Sequence, residues 1–163
     1  MKIARVDTTA VTVPLDEPIG SALGQIRGFG CILVRVRGDT GVVGENLIFT
    51  LNDRRTKVLV QMVEELGQLL VGRDAGHIAE FWVRAWKDIN FLGHKGVPVV
   101  GISALDGALS NATFLEYMPW FSRLYLEELE IVAGDAVVPE RPGWGFSFDW
   151  DHVAKLQEKG DRV

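Results

Sequence analysis

The stretch from Cys31 to Asn46 constrains the fold more tightly than any other part of the chain. Cys31-Ile32-Leu33-Val34-Arg35-Val36-Arg37 alternates with the period of two that a strand imposes. This places Ile32, Val34 and Val36 on one face and Leu33, Arg35 and Arg37 on the other. Gly38-Asp39-Thr40-Gly41 has the residues of a tight turn, and Val42-Val43-Gly44-Glu45-Asn46 resumes the β pattern. Residues 2–14, rich in Val, Thr and Ile and stopped by Pro14, predict a preceding strand, because proline cannot donate to a ladder. Together these segments predict a three-stranded antiparallel meander. Between the first two strands, the glycine-rich segment Pro18–Gly30 reads as too flexible for a regular element and long enough to act as a mobile flap.

After Leu47-Ile48-Phe49-Thr50 the apolar spacing becomes helical. Asn52 or Asp53 is expected to cap a helix with Val58, Met62, Leu66 and Leu69 on its inner stripe, ending at Val71-Gly72. A second helix is expected over about 75–90, with Ile78, Phe81, Trp82, Ala85 and Trp86 inward and Gly93 at its end. The small-residue run Gly101–Leu109 begins a further helix, which Ser110-Asn111-Ala112-Thr113 interrupts before an aromatic run with Tyr117, Trp120 and Phe121. Glu128–Ile131 and Ala136–Val138 predict a late hairpin around Val132-Ala133-Gly134-Asp135. Pro139–Gly145 reads as a rigid loop, and a short helix is expected over about 151–159.

The fold class is therefore α+β: a three-stranded meander, then a helical pair, with a C-terminal hairpin and short helix packed back on it. Residues 1–109 form the main unit and 110–163 a return segment of the same domain. Fifty residues alone would bury too little surface to be stable. Phe114, Tyr117, Trp120 and Trp144 are accordingly expected to share one core with Trp82 and Trp86.

Composition narrows the partners. The chain has 163 residues, 47% apolar and 24% charged, which is the balance of a single globular domain. No apolar run approaches the roughly 18 residues of a membrane span, and Met1–Asp7 lacks the apolar block of a signal peptide, so a cytoplasmic location without membrane contact is expected. Lys and Arg number 17 against 22 Asp and Glu, a net charge of -5, and the basic residues are dispersed, which argues against nucleic acid. Cys31 is the only cysteine and there are three histidines, which excludes a disulfide framework and leaves little for zinc.

Strand, glycine-rich flap, hairpin ending in Gly41-Val42-Val43-Gly44-Glu45, helical pair and Gly101-Ile102-Ser103-Ala104-Leu105-Asp106-Gly107-Ala108-Leu109 together resemble the N-terminal capping domain of the mandelate racemase and muconate lactonizing enzyme group of the enolase superfamily. Leu115–Trp120 and Val138–Gly145 resemble the extreme C-terminus of that group. Leu109 leaves 54 residues, whereas a (β/α)₈ barrel takes about 250, so the barrel is expected to be missing. An excised capping domain with its return segment, an internal deletion and an artificial fusion at Ser110-Asn111-Ala112 all fit this pattern. The resemblance implies a parent enzyme that uses Lys or His bases and Mg²⁺ to remove a proton next to a carboxylate. No counterpart of those bases or metal ligands is found in this chain, so neither a catalytic residue nor bound Mg²⁺ is expected, and whether the chain is itself an enzyme stays open.

The same resemblance implies substrate-selecting residues: Ser21, Gln25 and Arg27 from the flap, and Asn46, Phe49 and Thr50 from the segment after the hairpin. A guanidinium on a mobile loop suits a carboxylate or polyhydroxy acid, and the plain alternative for Arg27 is a solvated loop arginine. His94-Lys95, between Gly93 and Gly96, could present a base or a carboxylate-binding pair, but both residues are also what a helix C-terminus favours. His77 reads as an early-helix surface residue and His152 as a first-turn residue. Glu45, Asp106 and Glu116 have no ligand spacing, and Cys31, inside a strand, reads as a small buried hydrophobe.

The expected function is thus the substrate-specificity cap of a Mg²⁺-dependent acid-sugar dehydratase or racemase, working with a barrel domain or as a homo-oligomer. The alternative is a non-catalytic interaction or dimerisation module that reuses the barrel-facing surface.

Overall fold

The computed structural model describes residues 1–22, 24–109, 118–132, 135–137 and 146–160. Three antiparallel strands, β1 (Ile3–Ser21), β2 (Gly24–Gly38) and β3 (Val43–Leu51), form one sheet in the order β1-β2-β3. The β2–β3 hairpin follows the expected register, Val36 opposite Gly44 and Val34 opposite Asn46. Its turn closes with the Gly38 amide donating to the Val42 carbonyl at 2.8 Å and Gly41 at φ 89°, a conformation glycine adopts without a Cβ penalty.

Two expectations about the first strands are corrected. Strand β1 does not stop at Pro14, and the glycine-rich segment is not an irregular flap. Pro14 pairs with Gly28, and after an irregularity the ladder resumes at Ile19–Ile26, Gly20–Gln25 and Ser21–Gly24. Because β1 is an edge strand, the missing N–H of Pro14 need not interrupt the ladder inside the sheet. Long-range pairing thus overrides the low local propensity of the glycines. The last β2–β3 pair is Phe29–Leu51, so the end of the β1–β2 hairpin runs on past β3 as a two-stranded ribbon.

The helical layer covers one sheet face: α1 (Thr56–Gly67), α2 (Ile78–Asp88) followed by a 3₁₀ turn at Ile89–Phe91, and α3 (Val97–Leu109). Ile32, Val34 and Val36 pack there against Leu59, Val63, Leu66, Phe81, Ile89, Ile102 and Leu105. Four details differ from expectation. Neither Asn52 nor Asp53 caps α1; both are left-handed, as is Arg55 at the cap position, which has no side-chain cap bond. The buried stripe of α1 is Leu59, Val63 and Leu66, with Leu70 beyond it, leaving Val58 exposed. Helix α2 is shorter than residues 75–90, and α3 begins at Val97 rather than Gly101.

The opposite sheet face is covered by a 3₁₀ helix at Pro119–Leu124 and by α4 (Trp150–Gly160); between them strands β4 (Ile131–Val132) and β5 (Asp135–Ala136) pair with each other, with Ile131 and Val132 exposed. Phe121, Leu124, Phe148, Val153 and Leu156 pack on Val11, Val13, Phe29, Cys31 and Leu33. The single core joining C-terminal aromatics to Trp82 and Trp86 is therefore corrected to two cores separated by the sheet. Strand β2 is buried on both faces, and a two-sided strand needs two covers. Trp120 lies against Phe29, with ring centroids 5.7 Å apart. Trp82 is half-buried and Trp86 is exposed. Phe114, Tyr117, Trp144, the centre of the late hairpin and the loop 139–145 lie outside the described residues.

Gly44 marks the closest approach of sheet to helix, since a Cβ there would overlap the carbonyl oxygen of Ala108 in α3. The obstacle is backbone and cannot rotate away. Gly44→Ala should cost about 1–3 kcal/mol by overpacking, read as a lower urea midpoint. A neutral or stabilising effect, as strand propensity alone would give, would show that α3 can retreat.

Candidate functional site: the ribbon end and the sheet beside it

The expected substrate-selecting residues fall into three surroundings. Ser21, Gln25 and Arg27 come together on the ribbon, where the Ser21 hydroxyl donates to the Gly24 carbonyl at 2.7 Å and Arg27 Nη2 donates to Gln25 Oε1 at 2.7 Å. All three are exposed. Asn46 and Thr50 are half-buried. Asn46 Nδ2 donates to the Ala104 carbonyl at 2.9 Å while its Oδ1 accepts the Leu47 amide, which ties β3 to α3. The Thr50 hydroxyl meets that of buried Thr56 at 2.7 Å. Phe49 is directed toward the other cover, edge-on to Phe29 at 5.5 Å and 5.3 Å from Phe121. Side chains alternate across the sheet, so Phe49 cannot share a face with Asn46 and Thr50.

Asn52, read from sequence only as a cap, holds the ribbon. Its Oδ1 accepts the Arg27 amide at 2.6 Å and its Nδ2 donates to the Gln25 carbonyl at 2.9 Å, so one side-chain amide extends the β3 ladder beyond Leu51. The available signal was an asparagine, a residue that tolerates left-handed backbone and bonds to nearby main chain, at the exit of a predicted strand. Asn52 sits at φ 55°.

A second polar cluster lies on the sheet beneath the C-terminal cover. Arg35 Nε donates to Glu45 Oε1 at 3.1 Å, and the Arg35 guanidinium stacks 3.6 Å from the centre of the Trp150 ring. Arg37 Nε donates to Asp7 Oδ2 at 2.9 Å, and Arg5 Nε lies 2.7 Å from Asp7 Oδ1. Burial raises the Asp7 pKa, but hydrogen bonds from Arg37 and Arg5, with their charges, outweigh it and hold the carboxyl below its usual range.

His94 stacks on Trp86, with ring centroids 4.2 Å apart, and one ring nitrogen lies 2.9 Å from the Trp86 carbonyl. That arrangement finishes a helix end between Gly93 and Gly96, both at positive φ. His77 precedes α2 and stands 3.7 Å from Glu80. His152 is in the first turn of α4.

Cys31 is buried on the C-terminal side, and burial followed by the charge of Asp53 pushes its thiol up to about 12. We expect no reaction with Ellman's reagent at pH 8 until the chain is unfolded, since only the thiolate attacks. Rapid labelling of the folded chain would show that the cover opens readily.

A three-stranded meander backed by helices is the architecture of enolase-superfamily N-terminal domains. The family model for the N-terminal domain of mandelate racemase / muconate lactonizing enzyme matches residues 3–113, and the chain belongs to that family. It is 31% identical over 108 residues to 3,6-anhydro-alpha-L-galactonate cycloisomerase of Streptomyces coelicolor, a match covering 66% of this chain and 30% of that protein. Its fold is similar to that of a racemase from Streptomyces coelicolor A3(2) with bound magnesium (31% identity, TM-score 0.62). It is also similar to an enolase from Bradyrhizobium complexed with magnesium and mandelic acid (29% identity, TM-score 0.60). Each structural match covers 66% of this chain and 30% of the other.

Magnesium takes six or so oxygen ligands, usually with carboxylates among them. Among the described residues no three His, Cys, Asp or Glu side chains converge as a metal site requires, and the enclosed carboxylate of Glu45 is committed to Arg35. The described residues do not fit a Mg²⁺ site. No described helix is long and apolar enough to cross a membrane.

Proposed function

We propose that this chain is the substrate-specificity cap of a Mg²⁺-dependent acid-sugar enzyme, a dehydratase, racemase or cycloisomerase that removes the proton α to a carboxylate. The base and the metal belong to a barrel outside these residues, and the cap itself is non-catalytic. The observation that carries this reading is the ribbon: two strands running past β3, pinned by Asn52, with the Arg27 guanidinium exposed and propped by Gln25. A planar cation held on a projecting element can take a carboxylate in paired hydrogen bonds while Ser21 and Gln25 offer further contacts to hydroxyls. Phe49 and Thr50 would shape the neighbouring wall, and Asn46 would act from behind by holding β3 on α3.

The test is titration of the ¹⁵N-labelled chain with galactarate. Shifts at residues 20–27 that are lost in Arg27→Ala are expected, and a spectrum unchanged there would overturn the reading. Incubated with Mg²⁺ and aldonic or aldaric acids, the chain alone should neither dehydrate nor racemise them. Turnover surviving repurification and chelator controls would sink the non-catalytic assignment.

A second reading, an interaction module, draws on Phe91 and Leu92, which are 100% and 64% exposed at the end of α2. Concentration-dependent self-association abolished by Phe91→Ser would favour it; a monomer at all concentrations would remove it.

A further inference from the structure

The arginine cluster on the sheet face away from α1–α3 has a geometry that its ion pairs do not exhaust. In β1 and β2, Arg5 stands opposite Arg37, Asp7 opposite Arg35, and Thr9 opposite Leu33, so alternate residues of two neighbouring strands present three guanidiniums and a hydroxyl on one face. Together with Trp150 from α4 they line an open cavity of about 260 Å³. That volume holds a small molecule of a few heavy atoms and is too small for a peptide.

Charge in the cavity is unbalanced. Three guanidiniums face two carboxylates, Asp7 and Glu45. Asp7 spends both oxygens on Arg5 and Arg37, and Glu45 takes Arg35 through Oε1 while its Oε2 lies 3.4 Å from the Phe148 amide. The ion pairs of Arg35 and Arg37 run through Nε, which leaves their terminal Nη groups for a further acceptor. Arg35 is also pre-oriented, since its side chain is only 17% exposed and its Cζ lies 3.6 Å from the centre of the Trp150 ring, so little rotamer entropy remains to be lost on binding.

We propose that this cavity, bounded by Arg5, Arg35, Arg37, Thr9 and Trp150, is a binding site for a small oxyanion carrying two negative charges, such as inorganic phosphate or a short dicarboxylate. Arg35 and Arg37 take its oxygens through their Nη groups, and Thr9 donates a hydroxyl. The site is separate from Arg27 on the ribbon and independent of the cap reading. Trp150 comes from the C-terminal segment, so an anion here also bridges that segment to the sheet.

The test follows the Trp150 indole and the β1 and β2 amides of the ¹⁵N-labelled full chain during titration with phosphate, with tartrate, and with chloride at matched ionic strength. Phosphate and tartrate should both give saturable shifts centred on residues 5–9, 35–37 and 150, whereas chloride should not. A response to phosphate alone would restrict the ligand to phosphate-type anions, and one to tartrate alone to carboxylates. Arg37→Gln should weaken binding at least tenfold, and Arg27→Gln should leave it unchanged. Asp7→Asn, which removes a competing carboxylate, should bind several-fold more tightly, an outcome a poorly folded variant cannot mimic. Equal shifts with chloride, shifts confined to the ribbon, or unaltered binding in both Arg37→Gln and Asp7→Asn would overturn the proposal.

Discussion

A chain ending at Leu109 is expected to be insoluble or to unfold at a far lower urea concentration than the full protein. Such a truncation removes the cover over Val11, Val13, Phe29, Cys31 and Leu33, none of which is more than 4% exposed. Fully exposing a large apolar side chain costs about 1.5–3 kcal/mol, and the sum over this face rivals the roughly 5–15 kcal/mol that holds a typical domain folded. The helical core on the other face would remain, so residual helix by circular dichroism with an early, broad transition is the expected signature. Cooperative unfolding of residues 1–109 with an unchanged midpoint would make the C-terminal segment an appendage.

The second large effect is expected at Phe148, whose side chain is 1% exposed. It stacks on Tyr125 with centroids 5.2 Å apart and meets Trp150 edge-on at 5.6 Å. Phe148→Ala should cost about 3–5 kcal/mol, because the cavity left among aromatic neighbours cannot collapse far. Phe91→Ala, on a fully exposed side chain, should change stability by less than about 0.5 kcal/mol. Both values come from urea melts of the full chain. A Phe148→Ala loss no larger than that of Phe91→Ala would mean that the C-terminal cover contributes little, and the truncation result should then agree.

Features legible in the residue order alone are local ones. The β2–β3 hairpin was legible because alternation and turn residues sit within sixteen consecutive positions, and helical spacing located α1 and α2 to within a few residues. The α+β class and the family resemblance followed from the same segments. Glycine content reports what an isolated backbone tolerates and so points to a flap, whereas pairing of Ile19 with Ile26 depends on a neighbouring strand. The sequence offers Asn52 only as a cap, because its two main-chain partners, at Gln25 and Arg27, are distant along the chain.

Which surface each strand face meets depends on contacts between distant segments. Arg35 and Arg37 alternate with buried residues and look like a solvated face until Trp150, over a hundred residues away, covers one of them. Trp86 has core spacing on its helix, yet it stays exposed at the edge of the layer with His94 stacked on it. A period of two or 3.6 says which residues share a face; the element that arrives to cover that face is chosen by contacts between segments far apart in the chain, and no local pattern encodes those.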